Sequence, residues 1–319
     1  MISVLIVTYN SAKCIVACLE SLRENGGSAE IVVVDNGSKD GTVEAVRRFP
    51  NVKLIASTSN LGFAAGVNRA ARESQGESLL ILNPDTVCRT SLAPLEEALR
   101  DSQKIVAVAP RLVDSKGEFQ RGFAIRRLPT PASLIFEILL MNRAFPHNAI
   151  NRRYRCLDFD PEQVTEVEQP AGACLLVRRA SFEACGGMDE GFFPLWFEDV
   201  DFCKRLRQAG GSILYYPQVR IEHSGGHSLE SVTFSEKQVY WYRNLLYYVH
   251  KHYSWGTGAL VRVGLLMGIG MRVGVELIAA VLNRKTPVGS RMERIRAYGR
   301  AALIATSASA GESQSRVRA

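Results

Sequence analysis

The chain has 319 residues, 46% hydrophobic and 22% charged, the balance of an ordinary globular protein, which excludes a disordered or low-complexity chain. Its formal charge is +7, and from Gly256 onward there are ten Lys and Arg against three Glu, so residues 1–255 are formally neutral. The basic excess belongs to the tail, and no nucleic-acid partner is expected.

The opening "MISVLIVTYNS" begins at once as a strand and has no charged n-region, so the catalytic part is expected in the cytoplasm. Residues 3–8, 30–34, 52–56, 79–82 and 105–109 are rich in Val, Ile and Leu and read as strands. Helical patterns over 12–22, 41–49, 64–74 and 91–102 separate them. This alternation predicts an α/β, Rossmann-like fold with a mostly parallel sheet, helices on both faces and right-handed crossovers. After about residue 114 the pattern turns irregular around "RGFAIRRLPTP", and a second half of the domain is expected over 115–232. It contains the strand-like "GACLLVRR", a helix after "FEDVDF" and strands near 212–223. A C-terminal helical extension is expected over 233–306, with a disordered Ser/Ala/Gly-rich tail over 307–319. Seven scattered cysteines without a C-x-x-C pair predict free thiols.

Several loops that follow predicted strands carry polar residues suited to one site. "VTYN" brings Thr8, Tyr9 and Asn10, and "VVVDNGSKDGT" brings Asp35, whose carboxylate suits the N3–H of a uracil or thymine. Asp35-Asn36-Gly37 is also ordinary turn chemistry. "SNLGFAAGVNRA" sets Gly62 and Gly66 around a helix start, where backbone amides favour phosphate, yet it matches neither common phosphate-loop pattern. In "LLILNPDT" a buried strand ends at Asn83-Pro84-Asp85. That turn also has a plain structural explanation, but the carboxyl end of an α/β strand is where ligands bind. Asp85 there suits Mg²⁺ or Mn²⁺, hard cations that take one or two carboxylates plus substrate phosphates.

"GFFPLWFEDVDFCKRLRQAG" sets Glu198, Asp199 and Asp201 between an aromatic patch and a helix. Acids at a helix start also serve as caps, but beside Trp and Phe a carboxylate is desolvated toward useful base strength. "IEHSGGHS" supplies His223 and His227, and His223, at a strand end, suits a metal or diphosphate site.

In this order and spacing, VTYN, VVVDNGSKDGT, NLGFAAGVN, LLILNPDT, GACLLVRR, FFPLWFEDVDFCKRLRQAG and IEHSGG resemble the family 2 inverting glycosyltransferases of GT-A fold, most closely the bacterial rhamnosyltransferase-like branch. The resemblance spans roughly residues 1–250. It implies that residues 1–114 bind a nucleotide sugar, the donor being a UDP or dTDP sugar. Thr8, Tyr9, Asn10 and Asp35 would hold the nucleoside, with Gly62, Phe63, Asn68 and Asn83 nearby. Asp85 stands where the family's D-x-D motif ends, and Asn83 replaces its first carboxylate, which predicts weaker metal affinity. Asp199 looks like the catalytic base with Glu198 as the second candidate, and His223 like an additional metal ligand. Gly172 and Trp196 fall on the acceptor side, the acceptor being a glycan or lipid-linked sugar of bacterial cell-wall or surface-polysaccharide synthesis. A rival from another class is a non-catalytic nucleotide-sugar-binding partner in a polysaccharide assembly complex; retention of Asp85, Glu198, Asp199 and Asp201 favours the enzyme.

Residues 256–282 are apolar apart from Arg262, Arg272 and Glu276, which fall within one arc of about 80° of a helix. Spanning a bilayer would bury Arg272 at about 2.5–3.5 kcal/mol. Lying in the interface avoids that, and Arg284, Lys285, Arg291, Arg294, Arg296 and Arg300 suit an anionic membrane surface. A peripheral location at the inner face of the cell membrane follows. Alternatively the helix packs on the enzyme's own core, or forms a homo-oligomer face through Gly264, Gly268, Gly270 and Gly274.

Overall fold

Ile2–Thr8 (β1) is buried at every position, as expected of a continuous apolar run with a parallel strand on either side. Its neighbours are Glu30–Asp35 (β2) and Ser78–Leu82 (β4). The computed structural model describes residues 1–225, 232–282 and 288–306; His227, Arg284, Lys285 and the tail 307–319 lie outside them. The chain divides into two units. The first comprises Met1–Leu128, Arg155–Glu190 and Glu198–Ser231, the second Pro129–Tyr154, Gly191–Phe197 and Val232–Ala319.

The first unit is built on a mixed sheet. Besides β1, β2 and β4 it holds Val52–Ala56 (β3), Thr86–Cys88 (β5), Ile105–Val113 (β6), Thr165–Val167 (β8), Cys174–Arg178 (β10) and Ser212–His223 (β11). The order is β3-β2-β1-β4-β10-β6-β11-β5, with β8 also on β11. β3, β2, β1 and β4 are mutually parallel, as are β6 and β11, while β10 runs antiparallel to both β4 and β6. A small antiparallel pair, Ile125–Arg126 (β7) with Gln169–Pro170 (β9), stands apart from the main sheet.

The helix Phe63–Arg72 (α3) lies tightly against β1, for a Cβ on Gly66 would come within 2.7 Å of a Val7 methyl. Gly66 is therefore explained by packing. Gly62 caps the same helix at φ 87° and ψ 162°, backbone that favours glycine. The seven cysteines are all free thiols.

The second unit is helical. Pro131–Ile138 (α5) starts with a Thr130 capping box, and Phe234–His252 (α10) with a Thr233–Glu236 box. Trp255–Leu282 (α11) and Val288–Thr306 (α12) follow. The polar stripe of α11 is turned into this unit: Arg262 donates to the Ala305 carbonyl at 2.7 Å, Arg272 to that of Ile138 at 2.6 Å, and Glu276 pairs with Arg294 at 2.9 Å. Gly268 leaves room for Ile138, whose carbonyl oxygen lies 2.6 Å from a Cβ built there, whereas Gly270 and Gly274 face open space. The outward face is apolar, with Leu260, Val263, Met267, Met271, Val275 and Ile278 all exposed. Carbonyls thus take up the two arginine charges of α11 and Arg294 that of Glu276, packing of the kind the alternative sequence reading described.

Candidate active site

β1 and β2 end side by side, Thr8 against Asp35, and their loops are tied together. Thr8 Oγ1 donates to Asp35 Oδ1 at 2.8 Å, and Ser38 Oγ donates to the same oxygen. Asp35 Oδ2 accepts from the amides of Gly37 and Ser38 at 3.1 and 2.9 Å. With four donors on a carboxylate that is 1% exposed, its lone pairs are taken up in shaping the loop. Asn10, at φ 52°, accepts from the Lys39 amide at 2.9 Å. Tyr9 is half-buried between these residues in the chain. Asn68, next to this region on α3, is consumed otherwise: it donates to the Met188 carbonyl at 2.8 Å and accepts from the Met188 amide at 2.8 Å, fixing that loop. The Gly62 carbonyl accepts from Asn36 at 3.1 Å, and half-buried Phe63 opens α3.

Asp85 follows β4 by three residues, and Asn83 anchors the turn through its amide, which donates to the Ala173 carbonyl at 2.9 Å. The short strand β5 pairs Thr86 with His223, the last residue of β11. That pairing brings the two motifs together: His223 Nε2 lies 3.5 Å from Asp85 Oδ1, both side chains buried. Two buried groups, one carboxylate and one imidazole, face each other here. Among the described residues no set of three His, Cys, Asp or Glu forms a complete ion cage. A two-ligand corner at a sheet's carboxyl end fits a hard divalent cation that draws its other oxygens from water and phosphate.

Asp199 lies in the first turn of Glu198–Gln208 (α9). Its Oδ2 accepts from the Gly172 amide at 3.1 Å and from Gln169 Nε2 at 3.4 Å, and its Oδ1 from the Val200 amide at 2.8 Å. Gly172 is required for this approach, since a Cβ there would lie 2.9 Å from the Asp199 Cβ. Burial pushes the Asp199 carboxyl above its ordinary value, opposed by these amides and by the charge of Arg126. Glu198 is pushed well above the ordinary range by burial and then by the Asp199 charge, and its Oε2 is buried with no hydrogen-bond partner among the described residues. Burial thus raises both carboxyls, and at Asp199 the amide hydrogen bonds oppose the shift. Asp201 is fully buried and pairs with Arg205 at 2.7 Å, a structural role.

In the second unit Trp196 and Phe197 adopt φ 78° and 71°, a conformation that costs about 1–3 kcal/mol per residue. Asn244, itself fully buried, donates to the carbonyls of Phe193, Leu195 and Trp196 at 3.2, 2.7 and 3.3 Å and holds the segment.

Sequence reasoning missed the stretch 120–126. Gln120 contacts both the carbonyl and Nδ1 of His223, Phe123 stacks on the His223 ring at 5.2 Å, and Arg126 faces Asp199 electrostatically. The visible signal was two aromatics and three arginines in an irregular "FQRGFAIRR", a pattern that names no partner by itself.

Glycosyl transferase family 2 matches residues 3–184, more than half of the chain. An N-acetylglucosaminyl-diphospho-decaprenol L-rhamnosyltransferase of Mycobacterium tuberculosis is 29% identical over 276 residues, which cover 82% of this chain and 88% of that protein. Rhamnosyltransferase WbbL of Escherichia coli is 24% identical over 251 residues, 76% of this chain and 89% of its own. Among solved structures, the mannosyltransferase PcManGT of Pyrobaculum calidifontis, in complex with GDP-Man and Mn²⁺, superposes with a TM-score of 0.54 at 17% identity, over 95% of this chain and 85% of that one. That likeness is one of fold, the GT-A arrangement of sheet and helices. With the family match over the sheet that carries Thr8, Asp35 and Asp85, the chain belongs to glycosyl transferase family 2, in its rhamnosyltransferase-like branch.

Proposed function

We propose that this glycosyltransferase moves a sugar, rhamnose on the likeness to its relatives, from a UDP or dTDP donor to a hydroxyl of a lipid-linked glycan acceptor, with inversion at the anomeric carbon. The observation that carries the reading is Asp199, a buried carboxylate oriented by the Gly172 and Val200 amides. Asp199 takes the proton of the acceptor hydroxyl as that oxygen attacks the anomeric carbon, and the nucleoside diphosphate departs on the opposite side. Thr8, Tyr9, Asn10 and the Asp35 turn seat the nucleoside; Gly62, Phe63 and Asn68 back that seat. Asp85 and His223 are the residues that would hold Mg²⁺ or Mn²⁺, which when bound offsets charge on the departing diphosphate. Gly172 belongs to the acceptor side, a role that the resemblance also gives Trp196. Bound reactants turn a bimolecular encounter into an oriented one, a gain that reaches about 7–11 kcal/mol.

The acceptor reading extends to a lipid surface, with cell-wall or surface-polysaccharide synthesis as the setting. It is supported by α11, long and apolar enough to cross a membrane by length and composition, whose charges are paired inward and whose outward face is apolar. An in-plane position, with that face in the acyl region and exposed Arg296 and Arg300 of α12 toward anionic headgroups, suits this arrangement. Transfer of rhamnose from its dTDP and UDP donors to an N-acetylglucosaminyl-diphospho-lipid, followed by mass spectrometry and by NMR of the new linkage, tests the reading. Asp199→Asn is expected to lower turnover by about 10²–10⁴-fold with the donor KM little changed. Full turnover in that variant, or retained anomeric configuration, contradicts it.

A further inference from the structure

Residues 120–126 touch both ends of the site, and their hydrogen bonds fix more than position. The His223 carbonyl can only accept, so the Gln120 group 2.7 Å from it is the amide NH₂. Gln120 Oε1 is then the atom facing His223 Nδ1 at 3.1 Å. That oxygen also only accepts, so the hydrogen between them sits on Nδ1. In a neutral imidazole the lone pair then belongs to Nε2, the nitrogen 3.5 Å from Asp85 Oδ1. A lone pair and a carboxylate facing at that distance favour positive charge between them.

Phe123 closes the arrangement. Its ring lies parallel to that of His223, with 11° between planes, and the amides of Phe123 and Ala124 both donate to the Gln120 carbonyl, at 3.1 and 2.8 Å. The same turn continues to the base: the Ala171 amide donates to the Ala124 carbonyl at 2.9 Å, and Arg126 pairs with Gln169 in the β7–β9 ladder, one residue before Pro170 and three before Gly172.

We propose that Gln120 is a positioning residue for His223: with Phe123 it holds the imidazole as the Nδ1–H tautomer and directs Nε2, beside Asp85, at a divalent cation. This rests on the reading of Asp85 and His223 as a cation corner, and adds the group that prepares the imidazole to be a ligand. Hydrogen bonds from outside a coordination shell set the tautomer and orientation of ligating histidines in this way.

The test uses the full chain, free of metal and labelled with ¹⁵N at its five histidines, with His223 assigned by the signal lost in His223→Ala. Above the pH at which the ring titrates, long-range ¹H–¹⁵N correlations of the wild type are expected to show Nδ1 protonated and Nε2 bare. Gln120→Glu, which keeps an acceptor for Nδ1–H, retains that pattern, and Gln120→Leu loses it. Titration with Mn²⁺ in the presence of UDP, read by electron paramagnetic resonance, is expected to show affinity about 10–100-fold weaker in Gln120→Leu and largely recovered in Gln120→Glu. Unfolding midpoints establish that the variants are folded. An Nε2–H tautomer in the wild type overturns the proposal without any variant, and so does unchanged Mn²⁺ affinity in folded Gln120→Leu. Loss of Mn²⁺ binding in Asp85→Ala but not in Gln120→Leu leaves the cation corner standing and removes Gln120 from it. Absence of Mn²⁺ binding by the wild type overturns the corner itself.

Discussion

Glu198 and Asp199 are chain neighbours with different surroundings. Asp199 receives amide hydrogen bonds that favour its anion, while Glu198 has a buried oxygen with no donor aimed at it. The folded state thus holds the Glu198 proton well above the usual 4.5, where the unfolded chain has released it. Between those two values the native state binds more protons, so stability falls as pH rises, by about 1.4 kcal/mol for each tenfold difference in proton affinity. Glu198→Gln removes this dependence. Its unfolding midpoint relative to wild type is expected to climb as pH rises above about 5, and a difference that is flat with pH would show that Glu198 ionises freely in the fold. At this scale the sequence is legible for position: it puts Asp85 after a strand, His223 at a strand end and Asp199 at a helix start, where the structure has them. The internal contacts of a polar residue are not legible: Asp35 accepts from Ser38 and Gly37, and Asn68 bonds to Met188. Nor are those of Gln120, whose meaning depends on a histidine far away in the chain.

The strands β1 to β4 and their helices are legible as elements because each is a compact apolar run bounded by turn residues. The antiparallel placement of β10 and the three-residue β5 are not, since neither length nor periodicity states a partner; yet β5 is what joins Asp85 to His223. Helix α11 presents the same limit. Its narrow charged stripe is visible in the sequence, but the direction of the stripe depends on the Ala305 and Ile138 carbonyls and on Arg294. With charges inward, the exposed Met267 and Met271 occupy the middle of the apolar face. Replacing both with Glu is expected to lower flotation with phosphatidylglycerol-containing vesicles at least about tenfold, a change of ~1.4 kcal/mol, and to leave UDP binding unaltered. Undiminished flotation removes the lipid from this account, and a dimer that the same variants dissociate assigns the face to a second copy of the chain.

Across the whole molecule, the α/β unit is slightly acidic and holds Thr8, Asp35, Asp85 and Asp199, and the basic excess lies in the helical unit. On the proposed function this division would suit two kinds of substrate: a nucleotide sugar, for which loops at the carboxyl ends of parallel strands are suited, and an acceptor at a lipid surface. The central claim concerns the first. Calorimetric titration of the full chain with UDP, dTDP and GDP, each with and without Mn²⁺ and repeated on Asp85→Ala, tests it most directly. The account predicts Mn²⁺-dependent binding of UDP or dTDP in preference to GDP, lost in Asp85→Ala while the unfolding midpoint is kept. Equal binding of all three with no dependence on Mn²⁺ or Asp85, or no binding at all, would contradict it.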